Sequence, residues 1–383
     1  MDLTLRLLFW CSAALIFHNF FGFRLTLLFL ALFKKESEPT TGEFLPSVTV
    51  LIPAHNEEKE IAAKLDSVLS QGYPAEKLEI LVASDVSTDR TNEIVRGYQT
   101  RGVTLIDFRE RHGKLGALDE LIPLARGEIV VITDANVILG DGSLKRLCNV
   151  YADPRVGGAS GYQTVELPEQ STKLREEVLY RSFEADLKRT LSRFGLLVGA
   201  FGGFYSLRRS CFRPIGPKAM DDDVILPLEV LAQGYKVVFV PGAIGYEGIG
   251  ETMGEEYRRR IRMTAYNFNA LGRALRLGAR AGLLALYIVV SYKVLRWLAP
   301  FLWLMLAVSS IMLASQGNVY RLVAGTFLGG LILAMIGWLG ASIGRRWSPF
   351  AQTYYFAKMN FATAPGLILW LRGVKRYWGH RAG

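Results

Sequence analysis

From Leu3 to Phe33 the only charged or strongly polar interruptions of a long apolar run are Arg6, His18, Asn19 and Arg24. Roughly 20 predominantly apolar residues suffice to cross a bilayer, so residues 1–35 read as an N-terminal transmembrane anchor. No small-x-small cleavage site with a soluble remainder follows, which argues against a removable signal peptide. Lys34 and Lys35 close the run and place the downstream side in the cytoplasm, leaving the N-terminus outside.

The other end of the chain is also apolar. Residues 297–315 and 319–343 read as spans separated by the polar loop Gln316-Gly317-Asn318. Residues 281–295 are amphipathic and carry Lys293, with Arg296 just beyond, which suits an interfacial helix better than a crossing. The stretch 349–371 is apolar but holds Lys358 and Asn360, so spanning and re-entrant readings both stay open. The basic tail from Arg372 to Arg381 favours a cytoplasmic C-terminus. These segments organise the chain as an anchor (1–35), a cytoplasmic domain (46–250), amphipathic interfacial helices (251–296) and a C-terminal transmembrane region (297–383). A multi-pass protein of the plasma (inner) membrane is the expectation.

A formal charge of +10 could suggest nucleic acid. The cations do not form one tract, however: Lys34, Lys35, Arg345, Arg346, Arg372, Lys375 and Arg376 sit beside apolar runs. With no nucleic-acid-binding motif either, no nucleic-acid partner is expected. Cys11, Cys148 and Cys211 are scattered without a CxxC or Cys/His cluster, which argues against a zinc site and a disulfide framework.

Between the apolar ends the pattern changes to short β-branched runs alternating with helical stretches. Strands are expected at 47–53, 78–83, 103–107 and 128–133, with helices near 57–70, 89–101 and 114–124. Repeated units of this length imply an α/β domain, a parallel sheet with helices on both faces. Ligands bind beyond the carboxyl ends of such strands, and polar residues collect there: His55-Asn56-Glu57, Asp85 and Asp134-Ala135-Asn136. One polar residue at a strand end is ordinary turn chemistry; three ends in register on one edge point to a site. No GxGxxG follows the first strand and no Walker motif occurs, which counts against a dinucleotide dehydrogenase and a P-loop NTPase.

Taken in order, these residues resemble the membrane-bound family-2 glycosyltransferases, inverting enzymes with the GT-A nucleotide-sugar-binding, Rossmann-like fold. The likeness runs from about Val48 to Met263. Pro53-Ala54-His55-Asn56-Glu57 looks like the family's P-A-Y-N-E, which implies that Ala54, His55 and Glu57 cradle the nucleotide, with His55 where Tyr is usual. Asp85-Val86-Ser87-Thr88-Asp89 looks like D-G-S-T-D, implying that Asp85 contacts the base edge; Ser87 and Asp89 also suit capping of the next helix. His112-Gly113-Lys114 resembles the family's G-K pair, and Lys114 at a helix start would meet the diphosphate.

Asp134-Ala135-Asn136 stands where the family has its DxD. The resemblance implies Mg²⁺ or Mn²⁺ at Asp134 and Asn136 and the donor against Ala135, with an amide replacing the second acid. Gly202 and Gly203 resemble the acceptor-side glycine loop. Asp221-Asp222-Asp223 aligns with the family's TED, placing the general base at Asp223 with Asp222 beside it; crowded carboxylates would raise one another's pKa. Arg259, Arg262 and Met263 fall on the family's QxxRW, implying diphosphate contacts from the arginines and an acceptor contact from Met263, which lacks a flat stacking face. Arg258 to Arg262 equally suit a basic face against anionic headgroups.

The expected activity is therefore transfer from a nucleotide sugar, UDP-linked in most of the family, to a lipid or lipid-linked glycan. Few spans and the missing tryptophan favour limited transfer. The alternative is a processive synthase that elongates and exports a β-linked glycan, with a possible partner subunit for export; Trp378 faintly resembles the gating loop of such enzymes. A non-catalytic membrane scaffold is the third reading, motivated by Asn136, Arg259 and Met263.

Overall fold

The computed structural model describes residues 2–34, 44–165, 172–216, 220–248, 253–343 and 350–373. Lys35, Arg345, Arg346 and the tail from Lys375 to Arg381, with Trp378, lie outside the described residues. The chain forms two compact units. Of the described residues, one comprises those within 27–248 together with 272–287, the other those within 2–26, 253–271 and 288–373.

The first unit is built on an eight-stranded sheet: β1 (Val48–Ala54), β2 (Leu78–Asp85), β3 (Val103–Phe108), β4 (Ile129–Thr133), β5 (Val137–Leu139), β6 (Val156–Val165), β7 (Phe204–Arg208) and β8 (Lys236–Glu247). Its order is β3-β2-β1-β4-β7-β6-β8-β5. All seven residues of β1, Val-Thr-Val-Leu-Ile-Pro-Ala, are buried, as expected of a central strand covered on both faces. Val50 and Ile52 project into one cluster with Ile61, Leu65 and Val68 of the helix Ile61–Leu69. Truncating Ile52 to Ala there would cost about 2–5 kcal/mol.

β3, β2, β1 and β4 pair in parallel, as the βα repeats predict. The all-parallel expectation fails beyond β4. β7 runs antiparallel to both β4 and β6, and β5 antiparallel to β8. Its residues alternate apolar and polar only weakly: β6 opens Val-Gly-Gly-Ala-Ser-Gly, and β8 contains Pro241-Gly242. The register of β6 against β8 accordingly shifts between Gly161 and Tyr162.

In the second unit, Phe9 and Ile16 of the N-terminal helical run pack with Leu295, Leu302, Leu306 and Leu313. Among the described residues, three helical runs are long and apolar enough to cross a membrane: Asp2–Leu32, Leu283–Met312 and Asn318–Ser342. The stretch 281–295, read as an interfacial helix, continues here from Leu283 into the helix of the expected 297–315 span, through a π-helical turn at Val289–Val294. Another π-helical turn occupies His18–Gly22, and His18 Nε2 lies 3.0 Å from Ser291 Oγ. The stretch 349–371 forms two short helices, Phe350–Phe361 and Thr363–Leu371.

Candidate active site

The loops after β1 and β2 are tied together. Asn56 Oδ1 accepts the Thr88 N–H at 2.8 Å, and the Asn56 N–H donates to Ser87 Oγ at 3.2 Å. The Glu57 N–H donates to Thr91 Oγ1 at 2.8 Å, and a His55 ring nitrogen lies 2.8 Å from the Asp85 carbonyl oxygen. Asp89 Oδ1 accepts the Thr91 N–H at 3.0 Å, satisfying the first amide of the helix Thr91–Gly97. Partial burial opposes ionisation of Asp89, but the bonds from Thr91 and Glu58 outweigh it and hold its carboxyl below the usual range. Both loops need a left-handed residue, Asn56 at φ 57° and Val86 at φ 60°. Asn tolerates that conformation; a β-branched valine is strained in it.

Asp85 is fully buried at the end of β2. Its two oxygens accept the backbone N–H groups of His112 (2.6 Å) and Gly113 (3.0 Å), and Arg111 Nε lies 3.6 Å away. The carboxylate thus fixes the start of the helix Gly113–Leu121, and with it Lys114. His112 stacks near Phe108 at a centroid distance of 4.4 Å, beside this corner.

Lys114 brings three elements together. Its ammonium lies 3.0 Å from Asp134 Oδ1 and 3.1 Å from Asp222 Oδ2, and donates to the Gly202 carbonyl at 3.1 Å. Burial alone would lower the lysine's pKa, but the two carboxylates outweigh it and raise it. Asp134 is shifted upward, first by burial and against the pull of Lys114, with Asp222 and Glu247 adding repulsion. Asp222 Oδ2 also accepts the buried Tyr205 hydroxyl at 2.6 Å, so this acid is walled in by two donors.

Asp223 stands in the first turn of the helix Asp222–Ala232, beside Gly202: a Cβ built on that glycine would lie 3.6 Å from Asp223 Cγ. Pro227, four residues on, has no N–H to give the Asp223 carbonyl. That carbonyl accepts the Ala200 N–H instead, at 2.7 Å, which docks the glycine loop onto the helix that carries Asp223. Gly203 is required by crowding, since a Cβ there would meet Gln163 Oε1 and Val137 Cγ2 at 2.8 Å. Its carbonyl accepts from the Asp134 N–H (3.2 Å) and Thr133 Oγ1 (2.9 Å). The segment read as a glycine loop is thus a short loop running into β7.

Asn136 turns its amide nitrogen to Glu247 Oε1, 3.4 Å away, and Glu247 Oε2 pairs with Arg181 at 2.8 Å and accepts from Gln163 at 2.8 Å. Glu247, Gln163, Arg181 and Tyr205 were missed in the sequence. Glu247 carries the same signal as the others, a polar residue ending a strand, but Pro241-Gly242 hides β8 in the sequence. Among the described residues no three His, Cys, Asp or Glu side chains gather as a metal cage. Asp134 and Asn136 are hard oxygen donors next to one another in the turn. They fit a Mg²⁺- or Mn²⁺-type ion as a partial set, of the kind completed by water and substrate phosphates.

The structure thus gathers Ala54, His55, Glu57, Asp85, Lys114, Asp134, Ala135, Asn136, Gly202, Gly203, Asp222 and Asp223 in the sheet unit. Arg259, Arg262 and Met263 lie on the helix Met253–Ala281, in its stretch belonging to the other unit.

The fold that carries these residues is the GT-A fold. A mannosyltransferase from Pyrobaculum calidifontis, solved with GDP-Man and Mn²⁺, shares the fold with a TM-score of 0.71 over 95% of this chain and 99% of that one, at 24% identity. Residues 49–216 match the family Glycosyl transferase family 2. Poly-beta-1,6-N-acetyl-D-glucosamine synthase of Staphylococcus aureus strain COL is 26% identical over 223 residues, 57% of this chain and 54% of that protein. The Staphylococcus epidermidis synthase is 24% identical over 270 residues, 69% of this chain and 64% of that protein. The chain therefore spans about half to two thirds of the length of these curated relatives. Both relatives are, by name, synthases of a poly-N-acetylglucosamine.

Proposed function

We propose that this protein is an inverting membrane glycosyltransferase that moves a sugar from a nucleoside diphosphate sugar, UDP-linked, onto a growing β-linked glycan. The observation that carries the reading is the convergence of Lys114, Asp134 and Asp222 on one point, with Asp223 on the adjoining turn beside Gly202.

In this reading Asp223 takes the proton of the acceptor hydroxyl as that oxygen bonds to the anomeric carbon. The bond from that carbon to the diphosphate breaks, and the electron pair leaves with the diphosphate. Lys114 and the N-terminal amides of its helix receive the negative charge. Asp222 keeps Lys114 in place, and the loops carrying Ala54, His55, Glu57 and Asp85 hold the nucleoside, with the donor sugar against Ala135. Gly202 and Gly203 give the acceptor close access to backbone. Asp134 and Asn136 would hold Mg²⁺ or Mn²⁺, which would offset charge on the leaving group. Arg259 and Arg262 would add diphosphate contacts, and Met263 an acceptor contact.

The domain would face the cytoplasm of an inner membrane, with the N-terminus outside. The relatives make N-acetylglucosamine the first sugar to test. Limited transfer to a lipid acceptor is the second reading, favoured by the small number of span-like helices among the described residues, three. Product size from purified protein with labelled donor and membrane lipid decides: a ladder of long glycans supports elongation, a single labelled lipid supports limited transfer. Absence of any transfer from UDP- and GDP-sugars, with no nucleotide binding, would leave the scaffold reading.

A further inference from the structure

Lys64 is fully buried on the helix Ile61–Leu69, where its neighbours Ile61, Leu65 and Val68 belong to the core. Lysine is almost never fully buried unless its charge is matched. Its ammonium donates to Thr133 Oγ1 at 2.6 Å and to the Val137 carbonyl at 2.5 Å. Thr133 ends β4 and Val137 begins β5, so one side chain bridges both stems of the Asp134-Ala135-Asn136 turn. Thr133 Oγ1 passes the link on to the Gly203 carbonyl, which also accepts the Asp134 N–H. A single cation therefore ties the turn to the glycine loop from beneath. It also feels the charge of Asp134, the acid that Lys114 pairs with at 3.0 Å.

We propose that Lys64 is a positioning residue for a nucleoside diphosphate: it clamps the Asp134–Asn136 turn and supplies positive charge beneath the place where the diphosphate sits. This rests on the reading of that turn as the donor's diphosphate site. The chemistry fits the substitution at Asn136. An amide there holds a divalent cation more weakly than an acid would, and a buried ammonium behind the same turn adds through-space attraction for the diphosphate. An apolar side chain of similar volume would fill the core without the cost of desolvating a charge. Burial lowers the lysine's pKa to about 7, and Asp134 opposes that shift. A diphosphate on the turn acts in the same direction as Asp134.

Titration calorimetry of the full-length protein in detergent, with UDP and GDP and with uridine and guanosine, tests the proposal. Lys64→Met removes charge and clamp; Lys64→Gln removes the charge and retains N–H donors. The expected result is a loss of about tenfold or more in diphosphate affinity for both variants, with nucleoside affinity within about twofold of wild type. Unchanged diphosphate affinity in both variants overturns the proposal, as does an equal loss of nucleoside and diphosphate binding, which marks a purely structural lysine. If the wild-type protein binds neither UDP nor GDP, the diphosphate-site reading itself falls, and the proposal with it.

Discussion

Lys114 places its ammonium 3.0 Å from a carboxylate oxygen of Asp134, while the opposite contact, to Asp222, is 3.1 Å. Removing the lysine leaves two like charges facing one another in a shielded corner. Lys114→Met is expected to destabilise the domain by about 1–3 kcal/mol, less than breaking a fully buried pair because the Asp134 side chain is 37% exposed. Chemical denaturation of the variant and of Lys114→Met/Asp222→Asn checks this; the second substitution should recover part of the loss.

Asp134 and Asp223 should separate binding from chemistry. Asp134→Asn weakens nucleotide binding and transfer together, and the binding loss is larger with Mn²⁺ present than with chelator. Calorimetry with UDP in both conditions reads this directly.

Val86 is held at φ 60° between Asp85 and Ser87. A non-glycine residue in that conformation costs about 1–2 kcal/mol, and part of the gain from glycine is lost to its freer unfolded chain. Val86→Gly is expected to raise stability by about 0.5–1 kcal/mol. A lowered denaturation midpoint would contradict the strain.

Which parts were legible in the sequence follows from this geometry. The parallel half of the sheet announced itself through β-branched runs ending in polar residues, and its loops carried His55, Asp85 and Asp134. Val86 stands where the resemblance leads one to expect Gly, and the positive φ explains why Gly suits the position. The antiparallel half was hidden, because β6 is rich in glycine and β8 is interrupted by Pro241-Gly242. Contacts such as Arg181 with Glu247, 66 positions apart, need the register of β8 before they can be seen. Lys64 was invisible for a different reason: its residue type argues for the surface, and only the fold shows it bridging Thr133 and Val137.

Lys64 also sets a pH dependence. Burial brings its pKa down to about 7 in the folded protein, from an ordinary value of 10.5. Between these values the unfolded chain binds more protons, so this group's contribution to stability rises with pH through the window and its penalty is full below about 7. The stability difference, wild type minus Lys64→Met, is expected to climb by about 1.4 kcal/mol per pH unit between pH 7 and 9. A flat difference in chemical denaturation across that range would place the lysine outside the core.

Gly203 leaves no room for a methyl group, with Gln163 Oε1 and Val137 Cγ2 both 2.8 Å from its Cβ position. Gly203→Ala should cost about 1–3 kcal/mol and reduce transfer, since the displaced loop carries the contacts to Asp134 and Lys114. Thermal denaturation and donor turnover would fall together.

The most direct test is release of nucleoside diphosphate by detergent-purified protein from a panel of UDP- and GDP-sugars, with membrane lipid added, for wild type and Asp223→Asn side by side. The expected result is selective turnover by wild type and a loss of about a thousandfold in Asp223→Asn, within the range for a missing general base, with UDP affinity unchanged. Wild-type turnover by Asp223→Asn would contradict the assignment of the base, and with it the site described around Lys114 and Gly202.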